Sequence, residues 1–274
     1  MAKKTILITG ASSGIGKATA IYFAQKGWNV AATMRLKEDT AMPDFEKYPS
    51  ISIFNLDVKD NESIKKAVSD VIQKFSGIDV LFNNAGYSLA GAFEASTDEQ
   101  IRKQFDTNLF GVMNVTRAVL PHFRERKAGI ILNTTSSGGV LTFPLYSVYN
   151  SSKWALEGFM EALQYEVRQF KIVIKNIEPG TVKSEFVNNI SFVSNVDYDH
   201  YAQKVQQNTL DSYKDAATPE SVAKVVYKAA TDNSSKLRYP ATSQAKSAFF
   251  FRWLLPLNMF NKMVSSQAEK EIKR

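Results

Sequence analysis

A chain of 274 residues, 44% apolar and 22% charged, is long enough to bury one large core and has the composition of an ordinary soluble globular protein. It contains no cysteine and only two histidines, His122 and His200, which excludes disulfides and thiolate chemistry and leaves imidazoles too few and too far apart for a zinc centre. The net charge of +7 is spread along the chain without the dense basic clusters of nucleic-acid binders.

The N-terminus, MAKKTILITG, has too few apolar residues before Gly10 for a signal-peptide core, and no later run reaches membrane-spanning length. A cytoplasmic protein is expected. The first apolar run, 5–9, reads as a strand buried on both faces, and the helix-period stretch 15–26 closes at Gly27, where a helix end favours glycine. Between them stand Gly10, Gly14 and Gly16. Residues without side chains at a first strand-to-helix turn let the backbone approach a pyrophosphate, which then rests on the helix N-terminus.

The second apolar run, 30–34, ends in Met34 and Arg35. An acidic residue at such a tip binds the ribose hydroxyls of NAD, whereas a basic one accommodates the extra phosphate of NADP. Arg35 therefore favours NADP(H) over NAD(H), with Lys37 able to assist. Glu38 and Asp39 would weaken that preference if the strand ran a few residues longer. Further strands are expected at 51–58, 78–86, 129–136 and 172–180, and helices at 61–75, 98–126 and 149–169. This alternation predicts an α/β fold, a doubly wound parallel sheet, with ligands bound beyond the carboxyl ends of its strands. Residues 181–218 show no clear period and are too long for a plain connection, so they read as a substrate loop or lid. The whole chain, 1–274, is expected to form one domain, although its length does not exclude two.

In the helix-period stretch 149–169, Tyr149 and Lys153 lie four residues apart and so share a helical face. With 11 tyrosines and 25 lysines in the chain, roughly one such spacing arises by chance, and Tyr22 with Lys26 is a second. The pair at 149 gains meaning from its surroundings. TGASSGIG at 9–16, NNAG at 83–86, Ser136 after a strand, YNSSK at 149–153 and EPG at 178–180 together resemble the short-chain dehydrogenases/reductases of standard length. The resemblance covers roughly residues 4 to 240 and implies a Rossmann-type sheet of about seven strands.

It also implies a catalytic tetrad of Asn108, Ser136, Tyr149 and Lys153, with Asn108 holding a water in a proton relay. Ser137 competes with Ser136, and the family's interval of thirteen residues before the tyrosine selects Ser136. Implied cofactor contacts are Gly10, Ser12, Ser13, Gly14, Ile15, Gly16, Arg35, Asp57, Val58, Asn84, Ala85, Gly86, Tyr149, Lys153, Pro179, Gly180, Val182 and Ser184. Asp57 would meet the adenine, Asn83 would steady the central sheet, and Ser184 stands where the family more often has threonine.

Hydride transfer to a carbonyl leaves alkoxide character on oxygen, so a proton donor is needed within hydrogen-bond reach. A phenol with an ordinary pKa near 10 is a poor acid, and an ammonium four residues on should draw it down. Ser136 would polarise the carbonyl. A non-catalytic NADP-binding sensor is the alternative, although such proteins tend to lose tetrad members.

Tyr87, Leu89, residues 141–146, Phe186, Ile190, Phe192 and Val193 are expected to build an apolar pocket for a lipophilic carbonyl or alcohol. The stretch 136–163 is similar to the hydroxysteroid and retinol dehydrogenase branch. The tail, 241–274, reads as a helical extension with an apolar stretch at 248–264. That stretch would serve as a cap beside the site, a subunit contact or an interfacial membrane helix, in that order. The resemblance implies a homodimer or homotetramer.

Overall fold

The computed structural model describes residues 3–36, 42–186 and 190–269. Lys37, Glu38 and Asp39 lie outside the described residues. Strand β1 (Thr5–Thr9) leads through the glycine turn into α1 (Gly14–Gln25), which ends at Gly27 with φ +82°. There follow β2 (Asn29–Met34), the single turn α2 (Pro43–Glu46), β3 (Ile51–Asn55), α3 (Asn61–Phe75), β4 (Val80–Asn83) and the short β5 (Leu89–Gly91). Helix α3 starts at Asp60, whose carboxylate accepts from the N–H groups of Glu62 and Ser63, satisfying donors that a helix leaves open.

The expected single helix at 98–126 is three pieces: α4 (Asp98–Phe105), a π-helical turn at Asp106–Phe110, and α5 (Gly111–Arg126). Thr97 and Gln100 form a reciprocal capping box at the start of α4. The chain continues with β6 (Gly129–Thr134), α6 (Ser147–Val167) and β7 (Ile172–Glu178). The expected lid carries β8 (Ser191–Val193) and the helix α7 (Asp199–Ser212). Then come α8 (Pro219–Thr231), a strand the periodicity did not show, β9 (Arg238–Pro240), and the helices α9 (Ser243–Leu254) and α10 (Leu257–Glu269).

Seven strands form one parallel sheet in the order β3-β2-β1-β4-β6-β7-β9. This is the doubly wound α/β topology expected. Alternation along β1 shows why both faces are apolar: Ile6 and Ile8 pack with Phe23 of α1 and Val222 and Val226 of α8, while Leu7 joins Ile64, Val115 and Leu156 on the other face. A separate two-stranded parallel ladder pairs β5 with β8.

The strands stop earlier than their apolar runs suggest, because polar side chains take over at the carboxyl ends. Asn83, Asn133 and Asn176 stand in register on β4, β6 and β7. The Asn83 amide donates to Asn133 Oδ1 at 3.0 Å and to Thr116 Oγ1 at 3.1 Å, and Asn133 donates to Asn176 Oδ1 at 3.1 Å. The row ends where Asn176 donates to Glu157 Oε2 at 2.9 Å, which Arg238 also reaches at 3.1 Å. Such a row is tolerable because the NH2 group of each of the three amides finds an acceptor.

Candidate active site

The turn after β1 is built from backbone. Gly10 and Gly14 have φ of +64° and +51°, a region that glycine enters without steric cost. A Cβ at Gly16 would lie 2.2 Å from the Gly10 carbonyl oxygen, and one at Gly10 would lie 2.8 Å from Ala85 Cα. Helix α1 has no side-chain cap and no acidic residue in its first turn, so its opening N–H groups are not already taken by its own side chains. The Asn84 amide donates to the carbonyls of Thr9 and Gly10 at 3.2 and 3.0 Å and accepts from Thr134 Oγ1 at 3.1 Å. That clamp fixes the turn against β4.

A cleft of about 710 Å³ opens along this edge. At one end it is bordered by Met34, Arg35, Asp57 and Val58, centrally by Ser12, Ser13, Gly14 and Ile15 with Asn84, Ala85 and Gly86, and at the other end by Ser136, Tyr149, Lys153 and Tyr213. Pro179, Gly180, Val182 and Ser184 cross in front of the turn, and a Cβ on Gly14 would lie 3.2 Å from Ser184 Cβ. Helix-start donors, glycines bare enough for close approach, and a cleft of ligand-site size suit a dinucleotide.

Ser136, two residues beyond β6, is extended, accepts from Gly138 N–H at 3.0 Å, and lies within hydrogen-bond reach of the Tyr149 hydroxyl. Ser137 is buried, with its N–H on the Pro179 carbonyl at 2.8 Å, and does not border the cleft. Helix α6 presents Tyr149 and Lys153 on one face. The Lys153 ammonium donates to the Thr134 carbonyl at 2.8 Å and sits 5.9 Å from the centre of the Tyr149 ring.

The electrostatics differ from the sequence expectation. Burial pushes the Tyr149 phenol up to about 12, partly offset by Ser136 and reinforced by Tyr146. Burial also lowers Lys153 to about 8, with Glu157 acting in the opposite direction. Burial thus outweighs the effect of the Lys153 ammonium on the phenol in this arrangement.

Asn108 lies fully buried in the π-helical turn, a deformation common at functional sites. Its amide accepts from Tyr87 N–H at 3.2 Å and donates to the Tyr87 carbonyl at 2.9 Å. It therefore stands behind the cleft wall, within 3.1 Å of where a Cβ on Gly86 would be.

The pocket differs from expectation as well. Tyr87, Leu89 and Phe186 border the cleft, while Phe192 and Val193 are used in the β5–β8 ladder. Of residues 141–146, Leu141 is in the core, Phe143 is exposed, and Tyr146 packs on Tyr149 with ring centres 6.2 Å apart. Sequence reading missed Thr134, Thr135 and Tyr213, which also line the cleft. The two threonines were visible at a strand end, but Tyr213 had no motif to mark it. Tyr22 and Lys26 lie together on α1, away from the cleft lining.

Comparisons with known proteins agree with this geometry. The family described as short chain dehydrogenase matches residues 4–192. A 3-ketodihydrosphingosine reductase of Bacteroides thetaiotaomicron is 39% identical over 189 residues, covering 69% of this chain and 68% of the relative. A solved short-chain dehydrogenase from Streptomyces avermitilis superimposes with a TM-score of 0.81 at 31% identity, covering 100% of this chain and 98% of that one. ElxO with NADP bound is similar with a TM-score of 0.75 at 28% identity, covering 89% of this chain and 99% of that one.

Proposed function

This chain belongs to the short-chain dehydrogenases, a family of oxidoreductases, and on that premise we propose that it interconverts a lipophilic carbonyl compound and its secondary alcohol with NADP(H). The carrying observation is the convergence of Ser136, Tyr149 and Lys153 at one end of a cleft whose other parts suit a dinucleotide.

The nicotinamide, when bound, supplies or accepts the hydride. Everything else falls to the chain. The N–H groups opening α1 and the bare turn at Gly10, Gly14 and Gly16 would hold the pyrophosphate. Asp57 and Val58 would border the adenine end, and Pro179, Gly180, Val182 and Ser184 the nicotinamide end. Tyr149 holds its proton at neutral pH, as a donor to a developing alkoxide must. Ser136, already beside the phenol, would donate to the same oxygen and polarise the carbonyl. Lys153, fixed on Thr134, places a cation near both. Asn108 acts through Tyr87, whose backbone it holds.

The cofactor preference rests on Arg35 at the cleft rim and on the NADP-bound relative. The lipophilic substrate class rests on Tyr149, Phe186 and Tyr213 in the cleft lining, with Tyr146 packed on Tyr149, and on the similar 3-ketodihydrosphingosine reductase. The proposal includes a cytoplasmic homodimer or homotetramer, supported by an apolar groove between α5 and α6 lined by Leu120, Pro121, Leu163 and Val167.

The test is consumption of NADPH and NADH across ketones, aldehydes, steroids, retinoids and long-chain 3-keto compounds. NADPH should be preferred, and Arg35→Ala should reduce that preference about tenfold, the worth of a charge-assisted hydrogen bond. Better turnover with NADH in the parent protein would overturn the cofactor assignment, and no turnover with either on any substrate would overturn the enzyme.

A further inference from the structure

The C-terminal helices are held to the site by one face and leave the other open. Thr242 Oγ1 accepts from Gly180 N–H at 3.1 Å, Gln244 Oε1 accepts from Thr181 N–H at 3.0 Å, and Ala245 is fully buried. Helix α9 packs on the turn that follows Ser136, and α10 packs on both α7 and α9. Phe260 is buried on this inner side, with the Arg252 guanidinium 5.9 Å from its ring centre. The arm is thus fastened at its start to Gly180 and Thr181, which border the cleft.

Its outer side is unusual for a soluble helix pair. Lys246, Phe250, Trp253 and Leu254 follow an i, i+4, i+7, i+8 spacing and so share one face of α9. Phe250, Trp253 and Leu254 are 55%, 81% and 54% exposed, and the rings of Phe250 and Trp253 touch at 6.4 Å. On α10, Met259 and Met263 are exposed one turn apart with Lys262 beside them. Burying a large apolar side chain is worth about 1.5 to 3 kcal/mol, so an open ridge of this kind marks a contact surface.

Charge indicates which contact. From 233 to 268 the chain has no aspartate or glutamate, and α9 and α10 carry Lys246, Arg252 and Lys262, whereas Arg238 is taken up by Glu157 and Glu161. Apolar anchors that include a tryptophan at the tip, flanked by lysines and without acids, complement an anionic lipid surface. A second copy would instead bring like charge to like charge across a two-fold contact. Among the described residues no helix is long and apolar enough to cross a bilayer, so the contact is interfacial.

We propose that the outer face of α9 and α10 docks this protein on anionic membrane surfaces, with Phe250, Trp253 and Leu254 entering the headgroup region and Lys246 and Lys262 facing lipid phosphates. This surface is separate from the catalytic proposal, and its test needs no turnover.

The full chain would be floated with vesicles of phosphatidylcholine alone and of phosphatidylcholine with phosphatidylglycerol. Binding is expected to the anionic vesicles, several-fold weaker to the neutral ones and falling as salt rises, with Trp253 fluorescence shifting to the blue. Phe250→Ser with Trp253→Ser should reduce vesicle binding at least tenfold, about what losing two apolar anchors implies, and Lys246→Gln or Lys262→Gln about fivefold each. An unchanged melting temperature would show that the variants remain folded. No binding to either vesicle, or equal binding by parent and double variant, would overturn the proposal. So would a parent oligomer that the double variant converts to monomer, which would make this face a subunit contact.

Discussion

The two ends of the cleft are made differently. Around the glycine turn the walls are backbone, closed to within van der Waals contact, pinned by the Asn84 amide and set on a fully buried strand, with Arg35 and Asp57 bordering the cleft beyond it. Near Ser136 and Tyr149 the walls are side chains, some of them from a segment that meets the sheet and helices through a three-residue ladder, an aromatic contact between Phe186 and Tyr149, and surface bonds such as Tyr198 to Glu94. The glycine turn admits only what fits its backbone. The other end can change its occupant by changing a few side chains, so the chemistry is fixed more firmly than the substrate.

The contrast predicts graded effects. Tyr149→Phe should have the largest, lowering turnover by about 100-fold to 10,000-fold while NADPH affinity, set at the other end, stays within about twofold. Unchanged turnover in a folded variant would remove Tyr149 from the chemistry. Gly16→Val places a side chain 2.2 Å from the Gly10 carbonyl and should weaken NADPH binding by about 100-fold. Fluorescence titration would decide, since intact binding means that the turn is not the cradle.

Gly91→Ala sharpens the difference from the other side. Gly91 has φ +118°, and its Cβ would fall on the Val193 carbonyl oxygen, so alanine should unfasten β8 from β5 at a local cost of about 1 to 3 kcal/mol. Substrate KM should rise about fivefold to tenfold with the NADPH dissociation constant unchanged. Equal effects on both would show that the ends are not separable.

The smallest effect concerns Glu178, fully buried at the end of β7 and raised to about 9 by burial and by Glu157, against Arg238. The folded state holds this proton more tightly than the unfolded chain, whose carboxyl titrates near 4.5, so its contribution to stability falls as pH rises from about 4.5 to 9. Glu178→Gln carries no such proton. Its advantage should grow with pH, read from denaturant midpoints at pH 5 and 8. A constant gap between the two proteins would show that Glu178 is not the group titrating.

The same contrast governed what the sequence revealed. Backbone demands leave letters behind: Gly10, Gly14, Gly16 and Gly27 are residues that few others could replace, and the doubly wound sheet followed from runs buried on both faces. Side-chain constructions leave almost none. Nothing local marked Tyr213 as a wall, α7 was obscured by a weakly amphipathic polar sequence, and β9 is three residues long. The break in 98–126 was hidden because a π-helical turn keeps the apolar spacing nearly intact. The pKa of Tyr149 escaped because proximity to Lys153 could be read from spacing, whereas the burial that dominates both groups could not.

The asparagine row across β4, β6 and β7 has a consequence for how the chain finds its register. A slip of one residue in any of these strands would turn its amide to the opposite face, and a slip of two would set it against Leu81, Ile131 or Ile174, all buried hydrocarbon. Either error strands two or more polar atoms at once, so misaligned sheets are selected against during folding. The segments that leave these strands, Asn84–Gly86, Thr135–Ser136 and Pro179–Gly180, therefore start from a fixed register. Alignment of the reacting groups is settled in the interior of the sheet, before any ligand arrives.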